Sequence, residues 1–149
     1  MLDATTDLKS LLKDPSLLET RAYIGGRFVD GQGTFEVTNP ARGDVIAHVA
    51  DVDRAQTAGA IAQADAAQKD WAKWTGKERA AVLRKWFDLM IENQDDLATI
   101  LTAEMGKPLA EAKGEITYGA SFIEFYAEEA KRIYGETIPG HQRDKRITV

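Results

Sequence analysis

Beyond Asp53 the apolar residues of this chain recur at helical spacing, whereas from Ala22 to Val49 they fall in short extended runs broken by glycine. No all-helical or all-β fold satisfies both patterns. In the first stretch, Ala22-Tyr23-Ile24 and Arg27-Phe28-Val29 flank Gly25-Gly26, a pair suited to the positive φ angles of a two-residue hairpin turn. A third extended piece, Thr34 to Val37, leads to Thr38-Asn39-Pro40. A fourth, Val45 to Val49, follows Arg42-Gly43-Asp44, which reads as a turn. The first third is therefore expected to be a small antiparallel β unit.

Helical signals dominate the rest. Asp53 with Gln56 can open a helix that places Ala60, Ala64, Ala67, Trp71 and Trp74 on one stripe. Thr75 and Glu78 have the spacing of a capping box, and the helix they start should bury Leu83, Trp86, Phe87 and Met90. Asn93 can cap a further helix carrying Leu97, Ile100 and Leu101, with Gly106 and Pro108 marking a stop and a restart. The last helix is expected over Pro108 to Tyr134, with Leu109, Ala112, Ile116, Gly119, Ile123 and Ala127 inward and Gly135 ending it. Ahead of the β unit, Leu8, Leu11, Leu12 and Leu18 suggest a short amphipathic helix broken near Pro15. At the other end Arg146 to Val149 reads as a strand without a partner. The expected class is mixed α/β: an arm over 1–21, a β unit and packed helices over 22–134, and a separate segment over 135–149.

Composition removes several functions. Net charge is −5, and a nucleic-acid binder would show a basic face. Arg143, Lys145 and Arg146 are the one dense basic patch, interrupted by Asp144, and read as a solvated linker. The absence of cysteine excludes a disulfide frame, a thiolate nucleophile and cysteine-held zinc within these residues, and fits a reducing cytoplasm. The acidic start, Met1 to Asp7, lacks the basic and apolar run of a signal peptide. No stretch reaches the ~18 apolar residues of a membrane span, so a cytoplasmic protein is expected.

No phosphate-binding glycine motif occurs, and Gly31-Gln32-Gly33 reads as a turn. His48 and His141 lack ligand spacing; the first is expected on a strand face, the second in an exposed loop. Glu128 and Arg132 are spaced for an ion pair on a solvated helix face. Tyr118, Phe122 and Phe125 follow i, i+4, i+7 spacing and so share one helical face, which on pattern alone reads as core.

Several runs resemble the beginning of an aldehyde dehydrogenase. They are Tyr23 to Val29, Thr38 to Asp44, Lys77 to Ala80, Leu83 to Phe87, Asn93 to Ala98 and Gly106-Lys107-Pro108. Glu111 to Ile116 and Tyr134 to His141 are narrower, and are most similar to the succinate- and glutarate-semialdehyde branch. The resemblance implies a parent enzyme that oxidises succinate semialdehyde to succinate in 4-aminobutyrate breakdown with NAD or NADP, as a dimer or tetramer. Glutarate semialdehyde is the alternative substrate, and a free-standing helical interaction domain the alternative class. In such enzymes a cysteine thiolate attacks the aldehyde, hydride passes to the nicotinamide, and water hydrolyses the thioester. Those groups would lie later than position 149, so no catalytic or cofactor-binding residue is named, and neither activity nor cofactor binding is expected of this chain alone. The resemblance further implies that Glu104, with backbone near Val37 and Thr38, helps hold a monovalent cation; a plain helix-end carboxylate is the other reading. It makes Tyr118, with Phe122 and Phe125 beside it, part of a substrate tunnel. It also makes Arg146 to Val149 the start of a strand that pairs with a neighbouring subunit.

Overall fold

The computed structural model describes residues 7–149. Gly25 and Gly26 adopt φ of 60° and 80°, the left-handed values that a tight hairpin requires. Strands β1 (Ala22–Ile24) and β2 (Arg27–Val29) pair antiparallel across them, with Tyr23 opposite Phe28 and the two rings edge-on at 5.3 Å. Strands β3 (Gly33–Thr38) and β4 (Val45–Asp51) form a second antiparallel pair, with Phe35 opposite Val49. Their corner is built as its residues suggest. The Asn39 side chain accepts from the Ala41 N–H at 2.9 Å, and Arg42 grips Asp44 at 2.7 Å. The expected β unit is thus two separate two-stranded sheets.

The expected N-terminal helix is instead a pair of 3-10 turns, Leu8–Leu11 and Pro15–Leu17. Residues 1–6 of that arm, including most of the acidic start, lie outside the described residues. Asp7 and Asp14 accept from backbone N–H groups two residues on, and such local bonds compete with a continuous helix. The arm still buries its leucines: Leu8, Leu12 and Leu18 cluster with Ile46, Ile100 and Ala103 against them.

Four helices follow: α1 (Arg54–Trp71), α2 (Gly76–Glu92), α3 (Gln94–Met105) and α4 (Leu109–Glu129). The expected capping box of Thr75 with Glu78 forms, and Asp53 and Gln56, expected to open α1, make a second one. Helices α2 and α3 pack on α4. Small residues set the approach: Ala80 of α2 and Ala112, Ala120 and Ala127 of α4 are buried. A Cβ on Gly76 would collide with the backbone carbonyl of Ala130, so α2 begins hard against the end of α4. Arg84 and Glu124 pair across the seam at 2.7 Å.

Five expectations change. Trp86, placed inward by its spacing, is 56% exposed. The alanine stripe of α1 covers nothing fully, since no residue of that helix is buried. The Asn93 side chain does not cap α3; its amide donates back to the Leu89 carbonyl at 2.8 Å, closing α2. Helix α4 stops at Glu129, ahead of Tyr134. Ile133 and Tyr134 are 79% and 81% exposed, so a further turn would have no packed face to sustain it. Finally, Arg146–Thr148 has a partner: as β6 it pairs antiparallel with β5 (Thr137–Pro139).

The surface is large for the chain. It measures 10997 Å², where a self-contained globule of this mass exposes about 7,500 Å². The buried apolar set among the described residues consists of leucines and alanines, and no large side chain is fully enclosed.

Candidate functional site

The aromatic face of α4 is the first candidate. Helical spacing brings Tyr118 and Phe122 edge-on at 4.8 Å, and Phe125 meets Tyr126 the same way at 5.3 Å. These rings are not core: all four are exposed, Tyr118 most of all at 65%. The reason lies on the opposite side of the helix. There Ala112, Ala120 and Ala127 face α2 and α3, and one helix cannot turn both stripes to the same neighbours. The result is an exposed aromatic shelf that can bind or guide by contact.

Glu104 occupies the last turn of α3 and is exposed. Gly106 ends the helix at φ 78°, its N–H donating to the Thr102 carbonyl at 2.9 Å. A Cβ there would come within 3.0 Å of Pro40 Cγ, so the end of α3 abuts the Thr38-Asn39-Pro40 corner. Among the described residues no group of three or more His, Cys, Asp or Glu is arranged for a metal ion.

The buried charge was not foreseen. Asp96 is 4% exposed and accepts from the backbone N–H groups of Lys13, at 3.0 Å, and Asp14, at 2.8 Å. It thereby ties the N-terminal arm to the first turn of α3, where the helix dipole also favours an anion. In sequence it looks like any acidic residue of a helix start; its partners lie 83 and 82 positions away. Its neighbour Asp95 bridges Lys113 at 2.7 Å and Lys13 at 3.1 Å, and the Lys113 bond, then Lys13, holds its carboxyl below the ordinary range. Glu19 is pulled down to about 2, chiefly by the Arg21 guanidinium and then by the Arg21 backbone N–H. Arg42 likewise lowers Asp44.

Other candidates carry less. His48 stands exposed on β4 and His141 in the exposed loop between β5 and β6, with Arg143 and Lys145. Arg132 pairs with Glu129, one residue away from the expected Glu128, which lies 3.9 Å from Arg84.

The model of the aldehyde dehydrogenase family matches residues 28–149. A glutarate-semialdehyde dehydrogenase of Pseudomonas putida is 60% identical over 93% of this chain and 29% of its own length. A succinate-semialdehyde dehydrogenase (NADP(+)) of Escherichia coli K12 is 54% identical over the same shares. The crystal structure of succinate-semialdehyde dehydrogenase from Burkholderia pseudomallei superposes with a TM-score of 0.86 at 56% identity, covering 92% of this chain and 29% of that one. The chain thus spans under a third of the length of these relatives. Its mixed α/β arrangement is that of their corresponding regions.

Proposed function

The chain belongs to the aldehyde dehydrogenase family, and we propose that it is the N-terminal part of an NAD(P)-dependent oxidoreductase acting on a dicarboxylic semialdehyde, foremost succinate semialdehyde. The observation that carries this reading is the collinear identity of 54–60% over 93% of the chain to enzymes of that substrate class. In the parent, one aldehyde and one water become a carboxylate as the nicotinamide takes up a hydride. The groups that perform those steps are assigned to residues outside this chain, so the chain alone is inactive and binds no dinucleotide.

Within this frame Tyr118, Phe122 and Phe125 form part of the wall of the substrate entrance. Glu104, with carbonyls near Val37 and Thr38, holds a structural monovalent cation. Segment 135–149 begins the region that pairs with a neighbouring subunit in a dimer or tetramer. Among the described residues no helix is long and apolar enough to cross a membrane, and we place the protein in the cytoplasm.

A second substrate reading has its own support: the 60% identity to a glutarate-semialdehyde dehydrogenase. One methylene separates the two substrates, worth about 10- to 200-fold in discrimination. The free-standing interaction domain is weighed down by the surface of 10997 Å², which exceeds that of a self-contained domain by roughly 3,500 Å². The test is a steady-state assay of the parent with both semialdehydes and both nicotinamides. We expect kcat/KM for one of the two semialdehydes to exceed that for a simple aliphatic aldehyde, and no turnover by this chain alone. Turnover by the chain, or indifference of the parent to both semialdehydes, overturns the proposal.

A further inference from the structure

A cavity of about 250 Å³ lies where the first 3-10 turn, the start of β4, and the facing parts of α3 and α4 meet. Leu8, Leu11, Ile46, Ala103 and Leu109 make its walls apolar. Thr102 also lines it, and its hydroxyl is buried without a hydrogen-bond partner.

That hydroxyl departs from its neighbours. A threonine inside a helix commonly bonds the carbonyl four residues back. Thr99 does so to Asp95 at 2.8 Å and Thr117 to Lys113 at 3.1 Å, but Thr102 does not. Arg42 and Asn39, which also line the space, are each partly engaged by neighbours in their own turn. Arg42 Nε and Nη2 bind Asp44 at 2.7 and 2.8 Å, and Asn39 Oδ1 accepts from Ala41. A water is held well where two to four polar partners converge, and an apolar cavity of about 150 Å³ stays dry and accepts benzene. Here the space is larger and partly open, with Leu11 and Leu109 exposed at its edge; its walls are mostly apolar, and Thr102 offers a buried hydroxyl that can both donate and accept. Charge is balanced at the rim, because Asp44 neutralises Arg42, so a neutral molecule is favoured there over a carboxylate that must give up its hydration.

We propose that this cavity binds a small neutral molecule with a compact apolar body and a single hydroxyl or carbonyl, hydrogen-bonded to Thr102 Oγ1. An aromatic alcohol is the simplest member of the class. The proposal does not rest on the enzymatic reading of the preceding subsection.

Titration of the 149-residue chain with benzyl alcohol and, separately, toluene, followed by methyl NMR, tests it. Benzyl alcohol should shift the methyls of Leu8, Ile46 and Ala103 saturably. Thr102→Val, nearly isosteric, should weaken benzyl alcohol about five- to tenfold and leave toluene unchanged or tighter. Ala103→Phe should fill the space and abolish both. Should that variant fail to fold, the Thr102→Val contrast stands alone. Absence of saturable shifts at those methyls, an equal effect of Thr102→Val on both probes, or a persistent water resonance at Thr102 that benzyl alcohol does not displace would each overturn the site.

Discussion

Along α4, Ala112, Ala120 and Ala127 are covered by α2 and α3, while Tyr118, Phe122, Phe125 and Tyr126, drawn from the same helix, stand in solvent. In an ordinary helical domain the rings would be enclosed, because each offers far more apolar area than an alanine. Here the order is inverted. Alanine and glycine let three helices approach closely, and the larger apolar side chains stand outside that seam. The inner face decides whether these helices stay together. The outer face decides what they meet.

The inner face should be the more sensitive. Ala120→Leu, at a position with no exposure, should destabilise by about 3 kcal/mol through overpacking, read as a fall in the urea midpoint. A negligible change would show that α2 and α4 can separate at no cost, and the distinction between the faces would fail. Asp96→Ala comes next. It strands the two N–H groups that Asp96 accepts from, and should cost about 2 kcal/mol. Asp96→Asn keeps one acceptor oxygen and should cost less.

The outer face should respond differently. Replacing Phe122 and Phe125 together with serine should move stability by only about 0.5 kcal/mol. The same change should lower binding of a hydrophobic dye and shift sedimentation of the chain toward monomer. If the double variant melts as early as Ala120→Leu, the rings belong to the core after all.

The smallest expected effect is electrostatic. Glu19, Asp44 and Asp95 all titrate below their ordinary values in the folded chain. Their contribution to stability is thus present above about pH 4, where the unfolded carboxyls are ionised, and is lost as pH falls through the folded values. Glu19 should protonate with a midpoint of about 2 in a carboxyl NMR titration. Arg21→Ala should return it toward the ordinary range. A Glu19 midpoint that stays low without Arg21 would reassign the cause to the backbone N–H groups.

Legibility in the sequence followed distance along the chain. Gly25-Gly26, the Asn39 to Asp44 corner and both capping boxes were readable because each is completed within a few residues by its own side chains. The three rings of α4 could be placed on one face by counting, but not assigned to core or surface, since that depends on which stripe the neighbours cover. Asp96 gave no local signal, because its partners are Lys13 and Asp14. Thr102 was equally silent, its distinction being a bond it does not make.

The sequence by itself determined where helices begin, where the chain reverses, and which residues share a helical face, because hydrogen bonds and side-chain period are properties of neighbouring residues. Only the tertiary structure decided that Trp86 faces outward, that α4 ends at Glu129, and that Arg146–Thr148 finds a partner in Thr137–Pro139. Burial is a relation between segments far apart in the chain, and no local pattern contains it.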